Sequence, residues 1–363
     1  MNPLLANQVP SPSRRLTVLC AAKLHKNQLE RHLELLERLE LVERIIVVRH
    51  EPLPERLSKL ENVSFGAGNL ARSAIRMLQS VDETLQHRPV DWVLGLNPVP
   101  WGALAALVAR RRKVSTCLSL IGRDYLQVQR PWALPFVQAL RKADRVTTTG
   151  RSMLDGVVKL GVAKERTFIL PHSVDLERFQ PQVGPAEYEI VSVGQLIARK
   201  RMDVLVRALG LLRSRGIQLR LALLGQGPEE AKLRALVSEL GLEQQVSFLG
   251  YRDDVEKVVA KARLFALVSA WEGVPFALME AMASGVVPVV TSVGTIGDWV
   301  IDGKNGRIVP VDDAARLAEV LFQLQADGGK ELEALRRSLL EEREAFGLAR
   351  GVEVWRRILS PLR

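Results

Sequence analysis

The sequence predicts an α/β protein built from two tandem Rossmann-like domains, each with a parallel sheet. Three observations carry this prediction. Apolar runs of strand length alternate with segments of helical periodicity along most of the 363 residues. The runs are rich in Val, Ile and Leu without a polar face, as strands covered on both sides must be. The alternation breaks once, at 175–189, and then restarts, which fits the two domains that this length allows.

In order, "RLTVLCAA" (15–22) reads as a buried strand and "QLERHLELLERLELV" (28–42) as a helix. "ERIIVVRH" (43–50), "DWVLGLNP" (91–98) and "VSTCLSLIG" (114–122) are further strands, with the helical "WGALAALVARRRK" (101–113) between the last two. "ADRVTTTG" (143–150) precedes a helix at 151–161 and the strand "RTFILP" (166–171). The polar "DLERFQPQVGPAEYE" (175–189) holds two prolines and a glycine and reads as a linker. Strands then recur at 188–194, 219–225, 245–250, 264–269 and 286–292. Helices recur at 201–215, 228–241, 254–262 and 275–285, and the tail from 313 to 360 is helical. The expected organisation is a disordered lead-in at 1–14, a first domain at 15–180 and a hinge at 181–189. A second domain follows at 190–345, and a C-terminal helix at 346–363 crosses back to the first domain. Val352, Trp355 and Ile358 share a face of that helix.

Two cysteines, Cys20 and Cys117, lie in strand-like runs, so reduced thiols in a cytoplasmic protein are expected. No Cys/His cluster has zinc spacing, no apolar run is long enough to span a membrane, and the first residues lack a signal-peptide core. The net charge of +10 is uneven. Residues 1–180 hold 27 Lys+Arg against 17 Asp+Glu, and the rest hold 24 of each. The basic half suits an anionic partner: nucleic acid, an acidic lipid surface or a phosphorylated substrate. No aromatic-basic interleaving supports nucleic acid. "ALVARRRK" (106–113) and "RPWALPFVQALRKADR" (130–145) join apolar and basic residues, as segments lying on anionic membranes do, and as ordinary packed amphipathic helices do.

Ligands of parallel sheets bind beyond the carboxyl ends of the strands, so the loops after the second-half strands are the candidate site. "GQLIARKR" (194–201) offers Gly194 for a tight turn, and Arg199 and Lys200 at a helix start, which suits a diphosphate. "GQGPEE" (225–230) has Gly225 and Gly227, which permit close approach of a ligand or another loop. "TSVGTIG" (291–297) is a further glycine-rich turn whose N–H groups could face a phosphate. "WEGVPFALMEAMASG" (271–285) is a short helix, opened by Pro275 and apolar nearly all round, that carries Glu280 with Glu272 just before it. A charge there is costly unless it meets a basic side chain or a ligand, and carboxylates suit ribose or sugar hydroxyls.

These blocks, in this order, carry a resemblance. Residues 188–325 resemble the donor-binding domain of retaining glycosyltransferases of the GT-B fold, family 4. The matching blocks are "SVGQL…RK", "LLGQGP", "VSFLGYRDDV", "SAWEGVPFALMEAMASGVVPVV" with Glu272-x7-Glu280, and "IDGKNGRIV". The resemblance continues more weakly through "ADRVTTTGRSM" and "LPHSVDLERF", and earlier residues match only in layout, as an acceptor domain would. It implies a UDP- or GDP-sugar donor bound between two domains, no other cofactor, no metal, and an acceptor that is a glycan or is lipid-linked. It implies a cytoplasmic enzyme, peripheral on the inner face of the membrane where the acceptor is a lipid. Carried over by position, Glu280 would bind the ribose, and Lys200 and Arg199 the diphosphate. Glu272 and the backbone of Gly273, Val274, Phe276 and Ala277 would face the donor sugar and phosphates, and Tyr251 and Arg252 the base. The family's arginine after the first-loop glycine is Gln195 here, and its histidine in the first domain is Ile121 in "IGRD", where Asp124 remains as a catalytic candidate. His172, in "LPHSVD", is placed to line the cleft. A sugar-nucleotide epimerase of the same fold and a non-catalytic nucleotide-sugar-binding protein are the alternative readings.

Overall fold

The computed structural model describes residues 15–22, 24–54, 56–66, 68–182, 184–273 and 275–360. The expected lead-in at 1–14 lies outside them. The first sheet gathers β1 (Leu16–Ala22), β2 (Val42–Arg49), β3 (Leu60–Ser64), β4 (Trp92–Leu96), β5 (Ser115–Ser119), β6 (Arg145–Thr148) and β7 (Thr167–Ile169) in the order β3-β2-β1-β4-β5-β6-β7. The helices among them are α1 (Lys26–Glu37), α2 (Leu70–His87), α3 (Ala103–Arg111), α4 (Arg123–Val128), α5 (Leu134–Lys142) and α6 (Arg151–Lys159). The second sheet gathers β8 (Tyr188–Val193), β9 (Leu221–Leu224), β10 (Val246–Gly250), β11 (Ala262–Leu267), β12 (Val287–Thr291) and β13 (Arg307–Val309) in the order β10-β9-β8-β11-β12-β13. Its helices are α7 (Met202–Ser214), α8 (Glu230–Glu239), α9 (Val255–Val259), α10 (Phe276–Ala283), α11 (Ala314–Gln325), α12 (Lys330–Glu341) and α13 (Leu348–Ile358). Neighbouring strands run parallel in both sheets, with Ala21 opposite Val48 and Leu264 opposite Val287. The expected two parallel α/β sheets are therefore present.

The chain divides into two compact units. One takes the chain through Ser119, Gln138–Val146 and the chain from Trp355; the other takes Leu120–Val137 and Thr147–Val354. The segment at 181–189 thus lies wholly inside the second unit. Trp355 and Ile358 are buried and Val352 is half-buried.

Alternation along the second sheet explains its two cores. Successive side chains of a strand point to opposite faces. Ile190, Leu221, Leu264 and Ala266 pack with α7, α8 and α11, while Val191, Ala222, Phe265 and Leu267 pack with α9 and α10. Both faces are covered, so these strands read as continuous apolar runs. Four elements are additions to the sequence reading: β3, α2, α4 and β13. β3, "LENVS", is half-buried and polar. In α2 the Asn69 side chain caps the helix by accepting from the Arg72 N–H at 2.9 Å. The tail is three helices, broken at 327–329 and 343–346.

Candidate functional site

The loops after the carboxyl ends of β8, β9, β11 and β12 converge within the second unit. After β8 the chain makes one 3-10 turn over Ala198–Lys200, and Arg201 takes a left-handed conformation (φ 50°) before α7. That turn sends neighbouring cations in different directions. Lys200 Nζ lies 2.6 Å from Glu272 Oε1, and Arg199 Nη1 lies 3.3 Å from Glu272 Oε2. Arg199 also donates to the Trp271 carbonyl at 2.9 Å, and its guanidinium lies over the Trp271 ring. Arg201 instead pairs with Asp203 and Asp312. Gln195 is exposed.

Glu272 is 5% exposed and Lys200 8%. A carboxylate so placed needs donors on both oxygens. Ser269 supplies a third, its Oγ donating to Glu272 Oε1 at 2.8 Å. Ser269 is itself fixed by Thr291, whose Oγ1 donates to the Ser269 carbonyl at 2.7 Å. Sequence reasoning missed Ser269, although it stands three residues before Glu272 at the end of a strand. Two cations face one carboxylate here, so the cluster keeps one positive charge in excess beside a helix start.

Backbone contacts between loops hold this arrangement. A Cβ on Gly225 (φ 131°) would lie 1.9 Å from the Gly194 carbonyl oxygen, and one on Gly227 2.2 Å from that of Leu196. These two glycines let the loop after β9 lie on the loop after β8, the second of the two purposes their spacing permits. Gly294 (φ 63°), after β12, meets the Glu272 carbonyl in the same way at 1.9 Å. The 291–297 turn is pinned from its other side. Asp298 accepts from the Ser152 N–H and hydroxyl at 2.9 and 2.8 Å, and Trp299 Nε1 donates to the Thr149 carbonyl.

α10 begins directly after Pro275, and its Leu278, Met279, Ala281, Met282 and Ala283 are buried. Glu280, 5% exposed, rides on this packed support. The N–H groups of Phe276 and Ala277 precede the intrahelical ladder, as at any helix start. The His172 ring stacks on Phe276 with centroids 4.1 Å apart and planes 5° apart, so His172 sits at the same helix end. Val274 lies outside the described residues. Tyr251 is 63% exposed, and Arg252 forms a two-pronged pair with Asp254 at 2.8 Å on each prong.

Asp124 is buried and directed at its own turn. It accepts from the N–H of Ile121 at 3.0 Å and of Gly122 at 2.6 Å. Burial pushes its carboxyl up to about 6, against those backbone hydrogen bonds. The turn it fixes lies against the Glu272 loop, since a Cβ on Gly273 would be 2.9 Å from the Ile121 carbonyl.

The first unit has its own cavity of about 130 Å³ near the carboxyl ends of β1 and β2, lined by Val48, His50, Phe65, Ser73, Met77 and Trp101 among others. No group of three or more potential metal ligands occurs among the described residues. No helix among them is long and apolar enough to cross a membrane.

Two parallel-sheet, Rossmann-like domains define the GT-B fold. Residues 173–339 match the family model of glycosyl transferases group 1, and residues 31–173 match that of the glycosyl transferase 4-like domain. The two matches place the chain among the group 1 glycosyltransferases of the GT-B fold. WcaL of Escherichia coli, whose name assigns it to colanic acid biosynthesis as a glycosyltransferase, is 32% identical over 222 residues, 58% of this chain and 55% of that one. The N-acetylgalactosamine-N,N'-diacetylbacillosaminyl-diphospho-undecaprenol 4-alpha-N-acetylgalactosaminyltransferase of Campylobacter jejuni is 31% identical over 192 residues, 51% of this chain and 52% of that one. The matches span about half the length of these relatives. Among solved structures, HepE of Anabaena in complex with UDP aligns with a TM-score of 0.77 at 17% identity, covering 96% of this chain and all of that one. The same protein with UDP-glucose aligns at 0.76. At such identity the likeness is one of fold.

The Asp124 carboxyl makes a pH prediction. A folded value of about 6 against an ordinary 3.8 means that the folded chain keeps a proton the unfolded chain has lost between those values. Stability should therefore fall as pH rises from about 4 to about 6, by up to about 3 kcal/mol. Chemical denaturation across that window should show the slope, and Asp124→Asn should flatten it. An unchanged slope in the variant would remove Asp124 as its source.

Proposed function

We propose that this chain transfers a sugar from a nucleotide-diphosphate sugar, UDP- or GDP-linked, to an acceptor hydroxyl with retention of anomeric configuration. This is the family 4 reaction, here in the synthesis of a cell-surface glycan or glycolipid. The observation that carries the reading is the Glu272–Lys200–Arg199 cluster beside the start of the helix that bears Glu280. In the reaction the bond from the anomeric carbon to the diphosphate oxygen breaks and a bond to the acceptor oxygen forms on the same face. The acceptor proton leaves with the departing nucleoside diphosphate. Charge builds on that leaving group, and the excess cation of the cluster with the first N–H groups of α10 stabilises it. Glu280 accepts from the ribose hydroxyls, and Glu272 orients the two cations and meets the donor sugar. Asp124 acts as a positioning residue through the 121–124 turn. The acceptor reading is supported by the diphospho-undecaprenol named for the Campylobacter relative.

Glu280→Ala should weaken nucleotide binding with little change in turnover. Lys200→Ala should lower turnover by about 10²–10³-fold, the cost of one lost oxyanion donor. Transfer assays over a panel of nucleotide sugars read both effects. Unchanged donor affinity in Glu280→Ala together with unchanged turnover in Lys200→Ala would refute the assignment.

A cytoplasmic enzyme acting on a lipid-linked acceptor works at a membrane face. Trp132 and Leu134, 58% and 65% exposed, stand beside Arg130 in the apolar and basic segment 130–145. Sedimentation with vesicles containing anionic lipid should carry the protein down at low salt and less at high salt. Equal sedimentation of Trp132→Ser would show that this segment is not the contact.

A further inference from the structure

The second unit has another concave site, at the opposite ends of its strands. The candidate donor loops follow the carboxyl ends of β8 and β11. A pocket of about 380 Å³ instead opens where these strands begin, lined by Gln182, Glu189, Arg263, Gly285, Glu333 and Arg336 among others. Arg263 is the second residue of β11, so the rest of the strand, to Leu267, separates the pocket from the start of the Glu272 loop by about 13 Å.

Two guanidinium groups face this pocket without a carboxylate partner. Arg263 Nη1 donates to the Gln325 side-chain oxygen at 3.1 Å, and Arg336 Nη2 to the Gln182 carbonyl at 3.0 Å. Neither forms an ion pair among the described residues. Arg336 Nε and Gln325 Nε2 are buried and have no hydrogen-bond partner. Buried donors left unmade cost free energy, and charged ones the most. The nearby Glu189 is paired elsewhere, with Arg220 on both of its oxygens at 2.8 and 3.1 Å, and forms no ion pair with either group among the described residues. Glu333, exposed at the rim, stands free to accept hydrogen bonds from hydroxyl groups.

We propose that this pocket binds a phosphorylated monosaccharide, with its phosphate across Arg263 and Arg336 and its hydroxyls toward Glu333. Two guanidinium groups suit a dianion with several acceptor oxygens. The volume is within the small-ligand range of about 300–1,000 Å³. None of the described lining residues is aromatic, so nothing here stacks on a nucleotide base. Because Arg336 also holds the Gln182 carbonyl, a phosphate on it would fix the chain segment that leads into β8.

Isothermal titration of the full chain with glucose 1-phosphate, with and without excess UDP, tests this. Saturable binding that persists with UDP is expected. Arg263→Gln should weaken it by about tenfold or more, the loss of one charge-assisted contact, and the Arg263→Gln/Arg336→Gln pair should abolish it. The single variant leaves the Gln182 contact intact and keeps the test readable if the double variant does not fold. Absence of saturable binding, displacement by UDP, or unchanged affinity in Arg263→Gln would each overturn the proposal. Inorganic phosphate binding as tightly as glucose 1-phosphate would overturn the sugar part of it.

Discussion

Glu272 is where the second unit concentrates its electrostatics. A carboxylate that is 5% exposed is tolerable only because Lys200, Arg199 and Ser269 all reach it. Those partners come from two loops, the one after β8 and the one after β11, separated by about seventy residues of chain. The pairing therefore ties the loops together and sets where the cations point. Once Glu272 is placed, the Trp271 ring, the Pro275 turn and the start of α10 follow from it within four residues. A ligand phosphate entering beside this cluster would meet cations already held in place, so little reorganisation is needed as charge develops.

Packing supplies the rest of the frame. The loops after β8, β9 and β12 touch through backbone, at distances that exclude a Cβ at Gly225, Gly227 and Gly294. Below them, α10 is held in an apolar core with Phe265 and Leu267, which is what allows one helix to carry a nearly buried Glu280. Asp124 and the Asp298–Ser152 contacts brace the neighbouring turns. Rigid loops on a rigid sheet are the usual basis for a precise site.

Much of this was legible in the sequence. Strands buried on both faces announce themselves as apolar runs, so the two parallel sheets could be read, as could the short helix between Pro275 and Gly285. The edge strands β3 and β13 could not, because a half-buried edge carries polar residues such as Glu61 and Arg307 and loses the apolar signature. The placement of Glu272 and Glu280 by the strand ends was also readable. What the chain order hides is direction. Arg199, Lys200 and Arg201 are consecutive, yet one left-handed residue sends Arg201 to Asp312, more than a hundred residues on, while the other two turn to Glu272. Likewise "IGRD" shows an aspartate but not that its oxygens are spent on its own turn.

Everything at this site depends on the Glu272–Lys200 pair being a coupled, buried interaction. A double-mutant cycle with Glu272→Gln and Lys200→Met, read as unfolding free energy by chemical denaturation, measures this directly. Each single variant should be strongly destabilised, and the double variant should recover part of the loss, with a coupling of about 1–3 kcal/mol. Effects that add to within about 0.5 kcal/mol would mean that the two side chains act independently, and would contradict a coupled pair.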